Sequence, residues 1–247
     1  MGIEVVSIIE GTDSPVGDGM SAPIRALVRF DDQSTRRAIV KLLPAPALAA
    51  ELFCAALLRG WGLDVPEVAI VRGDPMRFAS LDTGYPSLKQ RIGLANDMPV
   101  TVKNALALYG AKLVASFKET PRALVADEAI ANRDRNLGNL LWDGSDATWI
   151  DHERALGVCE LPDQNLLASM SVAVGEAERV RQAAVAIAMT LGPQAVEEAL
   201  SECADVSESA GFADQVKGKL TILASMVLRR FPQPNDLLSG PVDGAPQ

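Results

Sequence analysis

Apolar and polar residues alternate along roughly the first 45 residues of the chain, where β-branched residues are frequent. This pattern predicts strands over residues 3–9, 24–30 and 37–43. A loop rich in Gly, Ser, Pro and Asp separates the first two strands, and a polar turn joins the second to the third. Two shorter strands are expected at residues 67–71 and 76–79.

Helical patterns follow these strands. An apolar helix is predicted over residues 47–59, where Gly60 closes it, and further helices over 100–117 and 122–130. Beyond Pro162 the chain reads as helical to about residue 230. The pattern therefore predicts an α+β fold with two parts, a small β-rich lobe containing one helix and a larger, mainly helical lobe.

The predicted boundaries divide the chain into an N-lobe at residues 1–88, a C-lobe at 89–232 and a flexible tail at 233–247. A β-hairpin is predicted inside the C-lobe, because apolar segments at 140–142 and 148–150 flank a turn of Asp, Gly and Ser residues.

Composition narrows the possible partners. The chain has 32 acidic and 23 basic residues, for a net charge of −9, which argues against direct binding of nucleic acid. No apolar run approaches the roughly 20 residues needed to span a membrane. Cys54, Cys159 and Cys203 form neither a disulfide framework nor a zinc pattern, and no signal peptide is evident. We therefore expect a cytoplasmic protein.

The segment 127–152 carries the strongest chemical signal. Asp134 and Asn139 have the spacing D-x-x-x-x-N, and the predicted hairpin separates them from Asp151. Phosphoryl transfer needs a carboxylate that orients the attacking hydroxyl, together with oxygen ligands that hold Mg²⁺ against the phosphates. The hairpin would bring Asn139 and Asp151 to the same end of two paired strands. The alternative is a surface loop whose Asp and Asn residues cap turns.

Lys41 lies in an otherwise apolar strand, and ten residues later Glu51 is the one acidic residue of the apolar helix. A lysine buried in a strand needs a charged partner, since an isolated ammonium is costly to bury. A strand lysine that a helix glutamate orients towards phosphates is the arrangement of protein kinases. The alternative is a lysine at a sheet edge and a glutamate on a solvated helix face.

Gly17, Gly19 and Ser21 lie in the loop between the first two strands, where a kinase covers the phosphates with backbone N–H groups. An ordinary hairpin loop is the alternative for this spacing. His152, the only histidine, is expected to have a structural or orienting role. Asp127 and Glu128 are expected to begin a helix or to cap its first turn.

The run IANRDRNLGNLLW, followed by IDHERAL, resembles the catalytic core of HipA-family kinases, and in particular the short, stand-alone HipA-like kinases of bacteria. The D-R-x-x-x-N form is also similar to that of phosphatidylinositol kinases. The resemblance covers roughly residues 3–160, including the IVK strand and the helix AAELFCAALLRG.

This resemblance implies a two-lobed, protein-kinase-like fold that uses ATP and Mg²⁺. It implies Asp134 as the catalytic base, Asn139 and Asp151 as Mg²⁺ ligands, and Lys41, backed by Glu51, as the phosphate-binding lysine. A hinge that grips adenine is implied within residues 76–85. Two departures are visible: Asp151–His152–Glu153 replaces the usual Asp-Phe-Gly, and Asn132 stands where aminoglycoside-type phosphotransferases carry a histidine.

The resulting expectation is an ATP- and Mg²⁺-dependent kinase that phosphorylates Ser or Thr of a protein acceptor, with itself as one candidate, in a toxin–antitoxin or stress-regulatory setting. A small-molecule or lipid kinase, a nucleotide-binding pseudokinase and an AMP-transferring protein of the same fold remain as alternatives.

Overall fold

A computed structural model describes residues 2–16, 22–73 and 75–232 of the chain. The six strands of the first third form one sheet in the order β1-β5-β6-β4-β3-β2. Their bounds are β1 Glu4–Ile8, β2 Ser14–Pro15, β3 Ile24–Arg29, β4 Thr35–Lys41, β5 Val68–Val71 and β6 Arg77–Leu81. The predicted strands are thus confirmed to within two residues at most ends, and the short β2 was not predicted.

The sheet closes into a barrel because β1 has neighbours on both edges. It pairs in parallel with β5, with Glu4 opposite Ala69, and antiparallel with β3, with Ser7 opposite Arg29. Small and β-branched residues of alternate positions fill the interior: Val6, Val28, Ala38, Val40, Ala69, Val71 and Ala79. The β-rich character was predicted from the sequence, whereas the closure was not.

The helix α1, Ala45–Gly60, follows the barrel strand β4 and is buried along most of its length. Twelve consecutive residues, 47–58, are buried. The helix packs against α7 (Gln194–Glu202) and α8 (Ser209–Leu220), where the rings of Phe53 and Phe212 lie 6.0 Å apart. It therefore shares a hydrophobic core with the C-terminal helices, and the predicted lobe boundary at 88/89 stays a prediction.

Among the described residues from 88 to 232, helices and their connecting loops surround one hairpin. Its strands are β7 Leu140–Trp142 and β8 Ala147–Trp149, which confirm the predicted hairpin. The remaining helices are α2 Leu88–Arg91, α3 Val100–Ser116, α4 Thr120–Ala129, α5 Leu166–Ala173, α6 Ala177–Ala188 and α9 Leu223–Leu228. None of the helices within the described ranges is long and apolar enough to cross a membrane.

The buried helix α4 has two acidic residues near its C-terminal end. Asp127 and Glu128 lie in its last turn and are buried. The prediction that they begin a helix is therefore wrong. Negative charge is unfavourable at a helix C-terminus, but arginines from later segments pair with both carboxylates and compensate for it.

Candidate functional site

A cleft with a volume of about 730 Å³ lies against the barrel strands, α1 and the segments on either side of the hairpin. Lys41 and Glu51 line it from β4 and α1, while Asp134, Asn139 and Asp151 line it from the segments before and after the hairpin. The structure thus gathers in one cleft five residues that are up to 110 positions apart in the chain.

Lys41, the last residue of β4, is the centre of the charged cluster. Its ammonium Nζ lies 3.2 Å from Glu51 Oε1, 2.5 Å from Asp151 Oδ1 and 3.1 Å from Glu153 Oε2. The lysine side chain is only 14% exposed. The strand lysine therefore has the helix glutamate as a partner, and two further carboxylates approach it from the segment after the hairpin.

Burial and these carboxylates act in opposite directions on the lysine. Burial lowers the pKa of the Lys41 ammonium, but the charges of Glu51, Asp151 and Glu153 outweigh burial and raise its pKa above the usual value. Burial raises the pKa of Glu51. The charge of Lys41 and the hydrogen bonds from His152 lower this pKa by a larger amount, so the Glu51 pKa falls below its usual value. The Lys41–Glu51 pair is thus fully ionised at neutral pH.

Hydrogen bonds between asparagine side chains and the main chain fix the loop that carries Asp134. The Asp134 N–H donates to Asn132 Oδ1 at 3.2 Å. The side-chain amides of Asn136 and Asn139 both donate to the Asp134 carbonyl oxygen, each at 2.9 Å. The Asp134 carboxylate is therefore carried on a loop whose main chain is held from both sides.

The orientation of Asn139 follows from the same contacts. Because its amide nitrogen donates to the Asp134 carbonyl, its amide oxygen is the atom left to accept or coordinate. Asn139 ends a 3₁₀ turn, Leu137–Asn139, directly before β7. This gives the cleft a buried amide oxygen and the carboxylate of Asp151, which are hard oxygen donors of the kind that Mg²⁺ prefers.

A buried arginine, Arg135, ties together the segments before and after the hairpin. Its guanidinium donates to both carboxylate oxygens of Asp127, at 3.0 and 2.9 Å. It also donates to the backbone oxygens of Asn139 and Ile150, at 3.1 and 2.8 Å, and approaches His152 Nε2 at 3.0 Å. The positions of Asn139 and Asp151 therefore both depend on a side chain that is 2% exposed.

His152 continues this network towards Lys41. Because an arginine can only donate, His152 Nε2 must accept from Arg135, which places the ring proton on Nδ1. That nitrogen lies 3.5 Å from Glu51 Oε2, and the His152 backbone N–H donates to the same oxygen at 2.9 Å. The buried histidine orients Glu51, in agreement with the structural role predicted for it.

A second acidic residue of α4, Glu128, holds the start of the same loop. Arg133 and Arg230 both donate to its carboxylate, with shortest contacts of 2.9 and 2.8 Å. Burial raises the pKa of Glu128, but the hydrogen bonds from these arginines lower it more, so its pKa lies below the usual value. Arg230, the second residue after α9, is thereby tied to the loop that carries Asp134.

Sequence reasoning missed several residues of the site. Glu153, Arg135 and Arg154 were assigned no role, although each makes a charged contact within it. The Asp-His-Glu order places a second carboxylate two residues after Asp151, and this was the one available signal. The φ of +69° places Asp151 in the left-handed region of the backbone map, and the sequence does not indicate this conformation.

Two predicted features are only partly visible. Gly17, Gly19 and Ser21 lie outside the described residues, although Val16 and Pro23 on either side of them line the cleft. The predicted hinge segment, 76–85, contains β6 and the residues after it, and residues 80–85 line the cleft. The roles predicted for these residues stay predictions.

The carboxylate oxygens of Glu51, Asp151 and Glu153 lie within 4.8 Å of one another, a separation that a metal ion could bridge. However, all three approach the Lys41 ammonium, which already balances part of their charge. Asp151 also lines the cleft with Asn139. Asn139 Oδ1 and the Asp151 carboxylate form a second set of oxygen donors in the same cleft.

Solved structures share this architecture. One is the proinflammatory kinase CtkA of Helicobacter pylori, with a TM-score of 0.58, 13% identity, and coverage of 91% of this chain and 96% of that chain. Another is HipA from the Shewanella oneidensis MR-1 complex of HipA, HipB and operator DNA, with a TM-score of 0.58, 13% identity, and coverage of 87% and 67%.

These neighbours confirm the resemblance to HipA-like kinases at the level of the fold, a mixed α+β architecture. No family model matches the chain, and no curated protein matches it in sequence. At 13% identity the fold is what the two structures have in common with this chain.

Proposed function

We propose that this chain is an ATP- and Mg²⁺-dependent phosphotransferase of the HipA-like kinase type, with Ser or Thr of a protein as the acceptor. The observation that carries the proposal is the contact between Lys41 Nζ and Asp151 Oδ1 at 2.5 Å, in a cleft that Glu51, Asp134 and Asn139 also line. These are the residue types that phosphoryl transfer requires, on the elements where kinases carry them.

In this proposal each residue has one role. Lys41, which Glu51 orients, binds the α- and β-phosphates of ATP. Asn139 Oδ1 and the Asp151 carboxylate would hold Mg²⁺, which neutralises phosphate charge when bound. Residues 80–85 would contact adenine, and the backbone at Gly17, Gly19 and Ser21 would cover the phosphates.

The transfer itself is a displacement at the γ-phosphorus. The acceptor hydroxyl oxygen forms a bond to this phosphorus while the bond to the β,γ-bridging oxygen breaks and ADP leaves. The Asp134 carboxylate accepts the hydroxyl proton and later releases it to water. The hydrogen bonds to the Asp134 main chain keep this carboxylate in position before the acceptor arrives.

The wider setting belongs to the same proposal. Residues 1–88 would act as a nucleotide-binding N-lobe and 89–232 as a catalytic C-lobe in a cytoplasmic protein. A toxin–antitoxin context follows from HipA, which forms a complex with HipB and operator DNA. For this chain, with a net charge of −9, we propose a protein partner rather than direct contact with DNA.

The test uses purified full-length protein, MgCl₂ and ATP that carries label on either the γ- or the α-phosphate. Covalent label on protein from the γ-position, and none from the α-position, supports the proposal. Label from the α-position would instead indicate AMP transfer. Consumption of ATP only with small-molecule or lipid acceptors would indicate the second class of kinase, and nucleotide binding without turnover would indicate a pseudokinase.

A further inference from the structure

The side chain of Arg154 contacts the candidate base, Asp134, within the cleft. Arg154 comes three residues after Asp151, and its Nη1 lies 3.2 Å from Asp134 Oδ2. The two side chains are 30% and 35% exposed, so solvent and ligands have access to both. If Asp134 is the base, an acceptor hydroxyl must approach its carboxylate beside this ion pair.

The other cations that line the cleft have different surroundings. Lys41 faces its three carboxylates, and Arg25 pairs with Asp82 at 2.7 Å beside the proposed adenine-binding segment. Lys89 lies on α2, beyond that segment. Among the described residues that line the cleft, Arg154 is the cation in contact with Asp134.

The guanidinium has capacity to bind a second anionic group. Arginine carries five N–H donors in a planar fork that matches the geometry of phosphate oxygens. Within residues 2–16, 22–73 and 75–232, Asp134 is the one hydrogen-bonding partner of the Arg154 side chain. Donors therefore remain available while one edge of the fork contacts Asp134.

Resting on the proposed function, we propose that Arg154 binds the γ-phosphate of ATP. In-line transfer places the γ-phosphate between the acceptor oxygen, which Asp134 serves, and the β-phosphate near Lys41 and Asp151. A guanidinium that contacts Asp134 is thus adjacent to the transferred group. It would stabilise the charge on the γ-phosphate oxygens and, as it turns towards them, release the Asp134 carboxylate to accept the proton.

The proposal predicts that Arg154 discriminates ATP from ADP, because ADP lacks the γ-phosphate. Calorimetry in MgCl₂ with a non-hydrolysable ATP analogue and with ADP measures this directly. We expect Arg154→Ala to raise the Kd of the analogue about tenfold, the typical effect of losing a charge-assisted hydrogen bond. The Kd of ADP should remain within about twofold. Arg154→Lys, which keeps the charge and loses the fork, should have an intermediate effect.

The matched control is Arg36→Ala, because Arg36 is an exposed arginine of β4 that pairs with Glu67 and does not line the cleft. It should bind both nucleotides as the wild type does. If Arg154→Ala does not fold, Arg154→Gln and Arg154→Lys provide the same comparison.

Three results would overturn the inference. An unchanged ratio of the two dissociation constants in the Arg154 variants would show that the guanidinium does not contact the γ-phosphate. Unchanged nucleotide binding with a raised acceptor KM would assign Arg154 to the acceptor instead. If the wild type bound neither nucleotide, the proposed function would fail as well, whereas in the first two cases only the inference fails.

Discussion

At the scale of single residues, the site concentrates more negative than positive charge. Three carboxylates, Glu51, Asp151 and Glu153, surround one lysine ammonium. The excess of negative charge affects the pKa of Glu153. Burial and the charges of Asp151 and Glu51 raise this pKa above its usual value, although Lys41 acts to lower it. The ionised form of Glu153 is therefore less favourable in the folded protein than in the unfolded chain.

This sign determines how stability should depend on pH. A carboxyl group with a raised pKa in the folded state stabilises the fold below its unfolded pKa, near 4.5, and that contribution is lost as pH rises through the folded pKa. Glutamine resembles the protonated form at every pH. Glu153→Gln should therefore melt at a higher temperature than the wild type at pH 7, and the difference should shrink as pH falls towards 4.5.

Thermal denaturation across this pH range, followed by circular dichroism, measures the difference. Glu160→Gln is the matched control, because Glu160 is exposed and should melt like the wild type at every pH. A lower melting temperature for Glu153→Gln at neutral pH would mean that the ion pair with Lys41 outweighs burial and repulsion, contrary to this account.

At the scale of elements, the loop between α4 and β7 is held by side chains that usually lie at the surface. The D-x-x-x-x-N spacing indicated Asp134 and Asn139, and the structure brings them together through the hydrogen bond from Asn139 to the Asp134 carbonyl. The spacing did not indicate Arg135, because arginine is rarely buried and its partner Asp127 belongs to another element. The sequence pattern therefore indicated Asp134 and Asn139 in the cleft, but it indicated neither the buried Arg135 behind the loop nor Glu153 and Arg154 within the cleft.

The arginine behind the loop provides a direct test of this support. Arg135→Lys keeps the charge but loses the planar fork that contacts Asp127 and two backbone oxygens. We expect a loss of about 2–3 kcal/mol in the free energy of unfolding, somewhat below the cost of breaking a buried ion pair. Phosphoryl transfer should also fall, because Asn139 and Asp151 lose a shared anchor.

Urea denaturation of Arg135→Lys and Arg133→Lys in parallel checks this expectation. Arg133, the neighbouring arginine, pairs with Glu128 but leaves the Asn139 backbone untouched. Its replacement should cost about 1 kcal/mol. Equal midpoints for Arg135→Lys and the wild type would contradict the supporting role assigned to Arg135.

At the scale of the whole molecule, α1 joins the two parts of the chain. The sequence predicted this helix correctly but not the elements that pack against it. Residues 47–58 are apolar on every face apart from Glu51. Without a polar face, the pattern does not indicate which side of the helix is exposed or which elements cover it. The closure of the barrel was hidden for a related reason. The closure depends on pairing β1 with β5 across about 60 residues. The alternation of apolar and polar residues predicts where strands lie, but it does not predict which strands pair with each other.

The helices α1 and α7 approach each other closely at Gly60, the last residue of α1. A methyl group added there would lie 3.0 Å from the Cβ of Ala195 in α7, which is closer than packed carbon atoms normally approach. Gly60→Ala should therefore destabilise the protein by about 1–3 kcal/mol, despite the better helix propensity of alanine. Adding Ala195→Gly should remove the clash and recover part of the loss.

Urea denaturation of the wild type, both single variants and the double variant forms a thermodynamic cycle. The expected coupling energy between the two sites is about 1 kcal/mol or more. Strict additivity would show that α1 and α7 do not pack closely at this point.

The most direct test of the central claim, that the cleft transfers phosphate with Asp134 as the base, is γ-phosphate transfer by Asp134→Asn compared with the wild type. Asp205→Asn, at an exposed residue that does not line the cleft, is the control. The account predicts that Asp134→Asn binds the non-hydrolysable ATP analogue within about twofold of the wild type, yet transfers at least about a hundredfold more slowly. Transfer at the wild-type rate by Asp134→Asn would contradict it.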